Sequence, residues 1–302
     1  MQSFEQATEL LPLNLREVIN KTDIQTKKNT REIRLRINQP LSLTLAQRSV
    51  FISQNGITTD VNKGIKVNKS DIDETFSLLC RHCLYSTQEQ IRQGFITAKG
   101  GHRAGICGTA TVKNGQIEAI RDISSINIRI ARQIIGCADK IYNDFFNNEI
   151  SSTLIASAPA GGKTTILRDL ARTLSEKGKR VSVIDERGEL GAVFCGVAQN
   201  RLGALCDILD NYPKAQGITY AVRCLNPQAI ICDEIGAYED YEAVSEAFKS
   251  GVPLIMSVHA SSLEELKKRR NIYRLIEEAL IKNIIVLEGE KAPGKIKESI
   301  II

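Results

Sequence analysis

Ser151-Ser152-Thr153-Leu154-Ile155-Ala156-Ser157-Ala158-Pro159-Ala160-Gly161-Gly162-Lys163-Thr164-Thr165 runs a short apolar strand into a loop of small residues that ends in Gly-Lys-Thr. That ending is the core of a phosphate-binding loop. Backbone N–H groups gathered at a helix N-terminus cradle phosphate oxygens, Lys163 reaches the β- and γ-phosphates, and Thr164 offers its hydroxyl to Mg²⁺. Ser157, Ala158, Pro159, Ala160, Gly161, Gly162, Lys163, Thr164 and Thr165 are therefore the candidate nucleotide-binding residues. Against G-x-x-x-x-G-K-[ST] the match is imperfect, because Ser157 stands in the first glycine position. The flanks favour binding over a glycine turn with an incidental lysine. Thr153 to Ala156 reads as a buried strand, and Thr165 to Ala171 carries apolar residues at helical spacing.

Three further apolar runs end in polar groups. Ala229-Ile230-Ile231-Cys232 leads into Asp233-Glu234. In a parallel α/β sheet ligands lie at the carboxyl ends of strands, so this acidic pair and the phosphate loop converge on one crevice. Asp233 then organises Mg²⁺ with Thr164, and Glu234 polarises the attacking water. Two solvated acids capping a strand are the competing reading of this pair taken alone. Arg180-Val181-Ser182-Val183-Ile184 ends at Asp185-Glu186-Arg187-Gly188-Glu189, which makes Glu186 a second catalytic candidate. Pro253 to Val258 delivers His259 and the hydroxyls of Ser261 and Ser262 to the same edge, where His259 is placed to sense a γ-phosphate; a structural hydrogen-bonding histidine is the competing reading.

A chain of 302 residues is long enough for two domains with separate cores. Its eight cysteines are scattered, several within apolar strands, so no disulfide framework is required and a reduced, cytoplasmic setting is expected. Cys80-Arg81-His82-Cys83 has C-x-x-C spacing without a second ligand pair at zinc-finger distance. No segment has the pattern of a secretory signal or the length of a membrane span. A net charge of +5 arises from nearly balanced acids and bases, and the run Lys267-Lys268-Arg269-Arg270 reads as a solvated helix end, so nucleic acid is not an expected partner.

The first part of the chain is α+β in character. An amphipathic opening around Leu10 and Leu15 precedes short strands at Glu32–Arg36 and Leu41–Thr44. Helical starts are expected at Ser70-Asp71-Ile72-Asp73 and at Ser86-Thr87-Gln88-Glu89. Strands are expected at Phe95–Thr97, at Ala104–Thr109, at Gln116–Ala119 after the turn Asn114-Gly115, and at Ser125–Arg132. The second part alternates strand and helix and ends in two strands joined at Pro293-Gly294. The expected division is an α+β domain over 1–133 and an α/β nucleotide-binding domain over 134–302.

Gly100-Gly101-His102-Arg103-Ala104-Gly105-Ile106-Cys107-Gly108, Ser125 to Arg132, Asp185-Glu186-Arg187, Asp233-Glu234-Ile235-Gly236 and Ser257-Val258-His259-Ala260 together closely resemble the stage III sporulation protein AA family, from about residue 30 to the end. The resemblance implies a RecA-like P-loop ATPase domain behind a smaller α+β domain, ATP and Mg²⁺ as ligands, and hydrolysis to ADP and phosphate. It also implies a homo-hexameric ring at the cytoplasmic face of a membrane, working with integral membrane proteins to energise a channel between mother cell and forespore. By the same resemblance, Glu186 is the acidic element, His259 the histidine element, and Arg103, Arg129 and Arg132 contact nucleotide. Where the family reads G-P-P-G-x-G-K-T-T, this chain has Ser157 and Ala160 in glycine positions, and Leu205-Cys206 replaces an arginine expected before Asp207. Slower hydrolysis and weaker nucleotide affinity are the expected consequence, since a side chain stands where glycine permits close approach and positive φ. A nucleotide-stabilised ring scaffold with little turnover and a nucleic-acid-dependent motor are the other two functions considered.

Overall fold

The computed structural model describes residues 2–46, 48–80, 90–92 and 94–302. The segments Cys80-Arg81-His82-Cys83 and Ser86 to Glu89, apart from Cys80, lie outside these residues. Two compact units are present, one formed by Met1–Arg132 with Ala192–Gln199, the other by Gln133–Gly191 with Asn200–Ile302.

The first unit is built on β1 (Glu32–Arg36), β2 (Ser42–Thr44), β3 (Ser49–Ser53), β4 (Gly56–Thr58), β5 (Phe95–Thr97), β6 (Arg103–Lys113) and β7 (Gln116–Arg129). They form one sheet in the order β4-β3-β2-β1-β7-β6-β5, with every neighbouring pair antiparallel. Alternation explains β1, where Ile33 and Leu35 point into the core and the charged residues between them do not. The helices Leu13–Ile19 and Lys69–Cys80 contribute Leu15, Ile19, Ile72 and Leu79 to that core. The second of these begins one residue before the expected start. Asn68 caps it, its Oδ1 accepting from Asp71 N at 2.8 Å while Asp71 Oδ2 accepts from Asn68 N at 2.9 Å.

β6 and β7 turn at Asn114 (φ 52°) and Gly115 (φ 76°), the left-handed pair that a two-residue hairpin loop requires. β7 is one continuous strand of 14 residues, not the two short strands expected, and it stops at Arg129, before Arg132. Register shifts at Cys107/Thr109 and Thr111/Val112 let the hairpin absorb the break in alternation that split it in the sequence.

The second unit holds β8 (Thr153–Ser157), β9 (Val181–Asp185), β10 (Cys206–Asp210), β11 (Ala229–Cys232), β12 (Leu254–His259), β13 (Asn283–Leu287) and β14 (Ile296–Ile301), in the order β10-β9-β11-β12-β8-β13-β14. All pairings are parallel except β13 with β14. Parallel strands buried on both faces read as unbroken apolar runs, and every residue of β8, β9 and β11 is buried. Helices Lys163–Glu176, Lys214–Cys224 and Tyr238–Lys249 pack around the sheet and contribute to two separate apolar cores. Cys80, Cys107, Cys137, Cys206, Cys224 and Cys232 carry free thiols, whereas Cys195 is disulfide-bonded. Among the described residues no helix is long and apolar enough to cross a membrane.

Candidate functional site

Four neighbouring parallel strands, β9-β11-β12-β8, deliver the candidate groups to one sheet edge. Register sets Ser157 beside His259 and Cys232 beside Met256, so Asp233 and Ser257 each lie one step further along. Ser257 Oγ accordingly donates to Asp233 Oδ1 and accepts from Glu234 N at 2.9 Å. On the other side Thr164 Oγ1 donates to Asp233 Oδ2 at 2.6 Å. Thr164 lies in the first turn of helix Lys163–Glu176, whose N-cap, Gly162, is left-handed at φ 91°. The free N–H groups of that turn and the helix dipole favour an anion there.

Lys163 is folded onto its own loop. Its Nζ donates to Ser157 O at 3.0 Å and Ala158 O at 3.3 Å, and lies 3.1 Å from His259 Nδ1. Burial pulls the Lys163 pKa below its ordinary value, and the negative charges of Asp233 and Glu234 oppose that shift. An ammonium can only donate, so His259 Nδ1 accepts and Nε2 carries the proton toward Glu234 Oε1, 3.2 Å away. Glu234 Oε2 meets Arg187 Nη1 at 2.5 Å, and the Glu234 carbonyl accepts from Lys214 Nζ at 2.7 Å. Glu234 holds φ at 48°, a conformation that costs a non-glycine residue about 1–3 kcal/mol and persists only where neighbours impose it. Here those neighbours are Ser257, His259, Arg187 and Lys214.

The loop carries strain of its own. Ala160 stands at φ 60°, a left-handed conformation that glycine adopts freely and alanine only with strain. Gly161 is glycine for a different reason. A Cβ there would lie 2.1 Å from Ser157 Oγ and 2.7 Å from Ser157 Cβ, so the serine fills the space beside it. The β13–β14 turn supports the loop from the far side, with Gly294 N donating to Gly161 O at 2.9 Å.

These groups enclose a cavity of about 380 Å³, lined by Pro159 through Thr165 together with Arg187, Glu189, Asp233, Glu234, His259 and Pro293. A larger groove of about 940 Å³ between helices Lys214–Cys224 and Tyr238–Lys249 is lined by none of the candidate residues. Glu186 does not line the smaller cavity. Its carboxylate turns to Lys214, accepting from Lys214 N at 3.3 Å and pairing with Nζ at 3.2 Å. The acidic residue of this turn that lines the cavity is Glu189, and Arg187, Glu189, Ser257 and Pro293 are the residues sequence reasoning left unassigned. The turn is set by Asp185, whose carboxylate accepts from the amides of Glu189, Leu190 and Gly191 at 2.8, 3.1 and 2.7 Å. Arg103, Arg129 and Arg132 belong to the first unit. Arg103 stacks 3.6 Å above the Phe95 ring, Arg129 Nε lies 3.9 Å from Glu32 Oε1, and Arg132 Nη2 donates to Thr30 O at 2.6 Å.

The donor set suits one hard cation sharing its shell with phosphate: a hydroxyl and a carboxylate converge, and among the described residues no group of three or more His, Cys, Asp or Glu is gathered to cage a metal. A parallel sheet that brings a Gly-Lys-Thr loop and an Asp-Glu pair to one edge defines a RecA-like α/β fold. The same fold occurs in the ATPase DotB of Legionella pneumophila, with a TM-score of 0.55 and 16% identity over 85% of this chain and 72% of that one. It also occurs in the pilus retraction motor PilT with bound ADP, with a TM-score of 0.54 and 13% identity over 90% of this chain and 76% of that one. At the family level, the chain belongs to sporulation stage III, protein AA, whose model matches residues 1–300. The stage III sporulation protein AA of Bacillus subtilis (strain 168) is 35% identical over 296 residues, 96% of this chain and 92% of that protein.

Proposed function

We propose that this chain is an Mg²⁺-dependent ATPase. The observation that carries the reading is the 2.6 Å contact of the Thr164 hydroxyl with Asp233, in a cavity whose wall also holds Lys163 and Glu234. Lys163 would leave the carbonyls of Ser157 and Ala158 for phosphate oxygens, a small move for a four-carbon stem. The loop amides and Gly162 would hold the β-phosphate. Thr164 and Asp233 would hold Mg²⁺, which when bound neutralises charge on the β- and γ-oxygens. Glu234 would accept a proton from water as the water oxygen bonds to the γ-phosphorus and the bond to the β-phosphate oxygen breaks, giving ADP and phosphate. His259 orients Glu234, and Glu186 assists through Lys214, which it shares with the Glu234 carbonyl.

In the larger setting, six copies form a ring in which Arg103, Arg129 and Arg132 supply planar, bidentate phosphate donors. The ring acts at the cytoplasmic face of a membrane with integral membrane proteins, and its turnover energises a channel between mother cell and forespore. Family membership and the RecA-like fold support this placement. Phosphate release under Mg-ATP tests the chemistry: it is expected in the wild type and lost in Lys163→Ala and Glu234→Gln, and equal release from all three sinks these roles. Chromatographic mass with and without Mg-ATP tests the ring.

The left-handed Ala160 and the buried Ser157 favour a second reading, a ring scaffold that binds ATP and hardly turns over. ATP-dependent assembly that is unchanged in Glu234→Gln, with no phosphate released by the wild type, identifies it.

A further inference from the structure

The geometry points to Arg187 as a guard on Glu234: its guanidinium rests on the carboxylate until a nucleoside triphosphate arrives, then exchanges onto the γ-phosphate and leaves Glu234 open to water. The inference rests on the ATPase reading above. In the structure both Glu234 oxygens are engaged, one by Arg187 at 2.5 Å and the other by His259 at 3.2 Å. A carboxylate held by a permanent cation is a poor acceptor for a water proton, so the arrangement is a resting one.

Exchange is easy on the side-chain level and blocked on the backbone level. The Arg187 side chain is 64% exposed, and an ion pair so close to solvent contributes little to stability. A terminal phosphate offers more charge and three oxygens to the same planar fork, so it outcompetes a single carboxylate. The turn beneath Arg187 does not need to move. Asp185 fixes the amides of Glu189, Leu190 and Gly191, and Arg168 Nη2 donates to Glu189 O at 2.6 Å from the helix that follows the phosphate loop. Arg187 is thus a long lever on a rigid post in the wall of the phosphate cavity. A diphosphate has no γ-group to draw it away, so Arg187 becomes a determinant of triphosphate over diphosphate.

Equilibrium binding of fluorescent N-methylanthraniloyl derivatives of ADP and a non-hydrolysable ATP analogue, each with Mg²⁺, tests this on the full chain. Arg187→Ala is expected to cut the triphosphate-to-diphosphate preference about tenfold, which corresponds to about 1.4 kcal/mol, while leaving diphosphate affinity unchanged. Arg187→Lys, which keeps a charge without the fork, is expected to fall between. An unchanged preference in Arg187→Ala with both ligands bound overturns the guard. Equal weakening of both ligands with a lowered melting temperature assigns Arg187 a structural role and overturns it as well. Failure of the wild type to bind either ligand sinks the ATPase reading itself and the guard with it.

Discussion

Replacing Gly161 by alanine tests whether this chain has rebuilt its phosphate loop around Ser157. The new Cβ would sit 2.1 Å from Ser157 Oγ and 2.7 Å from Ser157 Cβ, against the ~3.5–4.0 Å at which carbon contacts become favourable. Ser157 is fully buried, and its hydroxyl donates to Ala158 O at 2.7 Å, so it has little room to retreat. Overpacking of this kind costs about 1–3 kcal/mol, and about 2 kcal/mol is expected for Gly161→Ala. Ser157→Gly alone loses a hydrogen bond and gains chain entropy in the unfolded state, about 1 kcal/mol together. The double variant removes both contacts with Ser157, leaving the 3.1 Å approach of the new Cβ to Ala158 O, and is expected to lose about 1 kcal/mol, a coupling of about 2 kcal/mol between the two sites. Urea unfolding of the four proteins measures all three numbers. If Gly161→Ala is as stable as the wild type, or the two changes simply add, then Ser157 does not occupy the space that fixes glycine at 161.

Two acid-range predictions have opposite signs. Asp210 lies beside Asp185 on adjacent strands, and burial first, then that neighbour's charge, raises its pKa from 3.8 to about 6. The folded state therefore holds the proton more tightly, and its contribution to stability is lost as pH rises from about 4 to 6; Asp210→Asn is expected to flatten that part of the profile and to be the more stable protein at pH 7. His102 is completely buried, and burial lowers its pKa from 6.5 to about 4. Its contribution is present above pH 6.5 and lost as pH falls toward 4, so His102→Asn, which keeps an acceptor for the Ala131 amide now bound to His102 Nδ1 at 3.1 Å, is expected to lose less stability than the wild type between pH 7 and 5 in urea titrations.

The sheet of the second unit was readable where burial is complete. Thr153 to Ser157, Ala229 to Cys232 and Leu254 to Val258 are buried, mainly apolar runs; the first leads into the loop that lines the cavity from Pro159 onward, and the other two are followed directly by Asp233 and His259, which line it. β10 is not legible in the sequence, because Cys206-Asp207-Ile208-Leu209-Asp210 mixes acids into an edge strand, where one side meets solvent. β6 and β7 were readable only in pieces, since most of the hairpin is exposed and its alternation is broken by bulges. Within the site, Lys163, Thr164, Asp233, Glu234 and His259 announce themselves by chemistry at strand ends. Glu186 and Glu189 cannot be told apart that way. The choice depends on which direction a tight turn faces, and three backbone amides bound to Asp185 decide it. Ser257 looks like a strand residue until the parallel register brings it level with Asp233.

Ala192–Gln199 belongs to the first compact unit although the chain on both sides of it belongs to the second. Gln199 Oε1 accepts from Gly100 N at 2.8 Å there, and a Cβ on Gly101 would meet Ala192 at 3.3 Å. Protein made only from residue 133 onward would thus keep an eight-residue stitch with its fabric gone, and the two halves cannot be parted by cutting the polypeptide at one place.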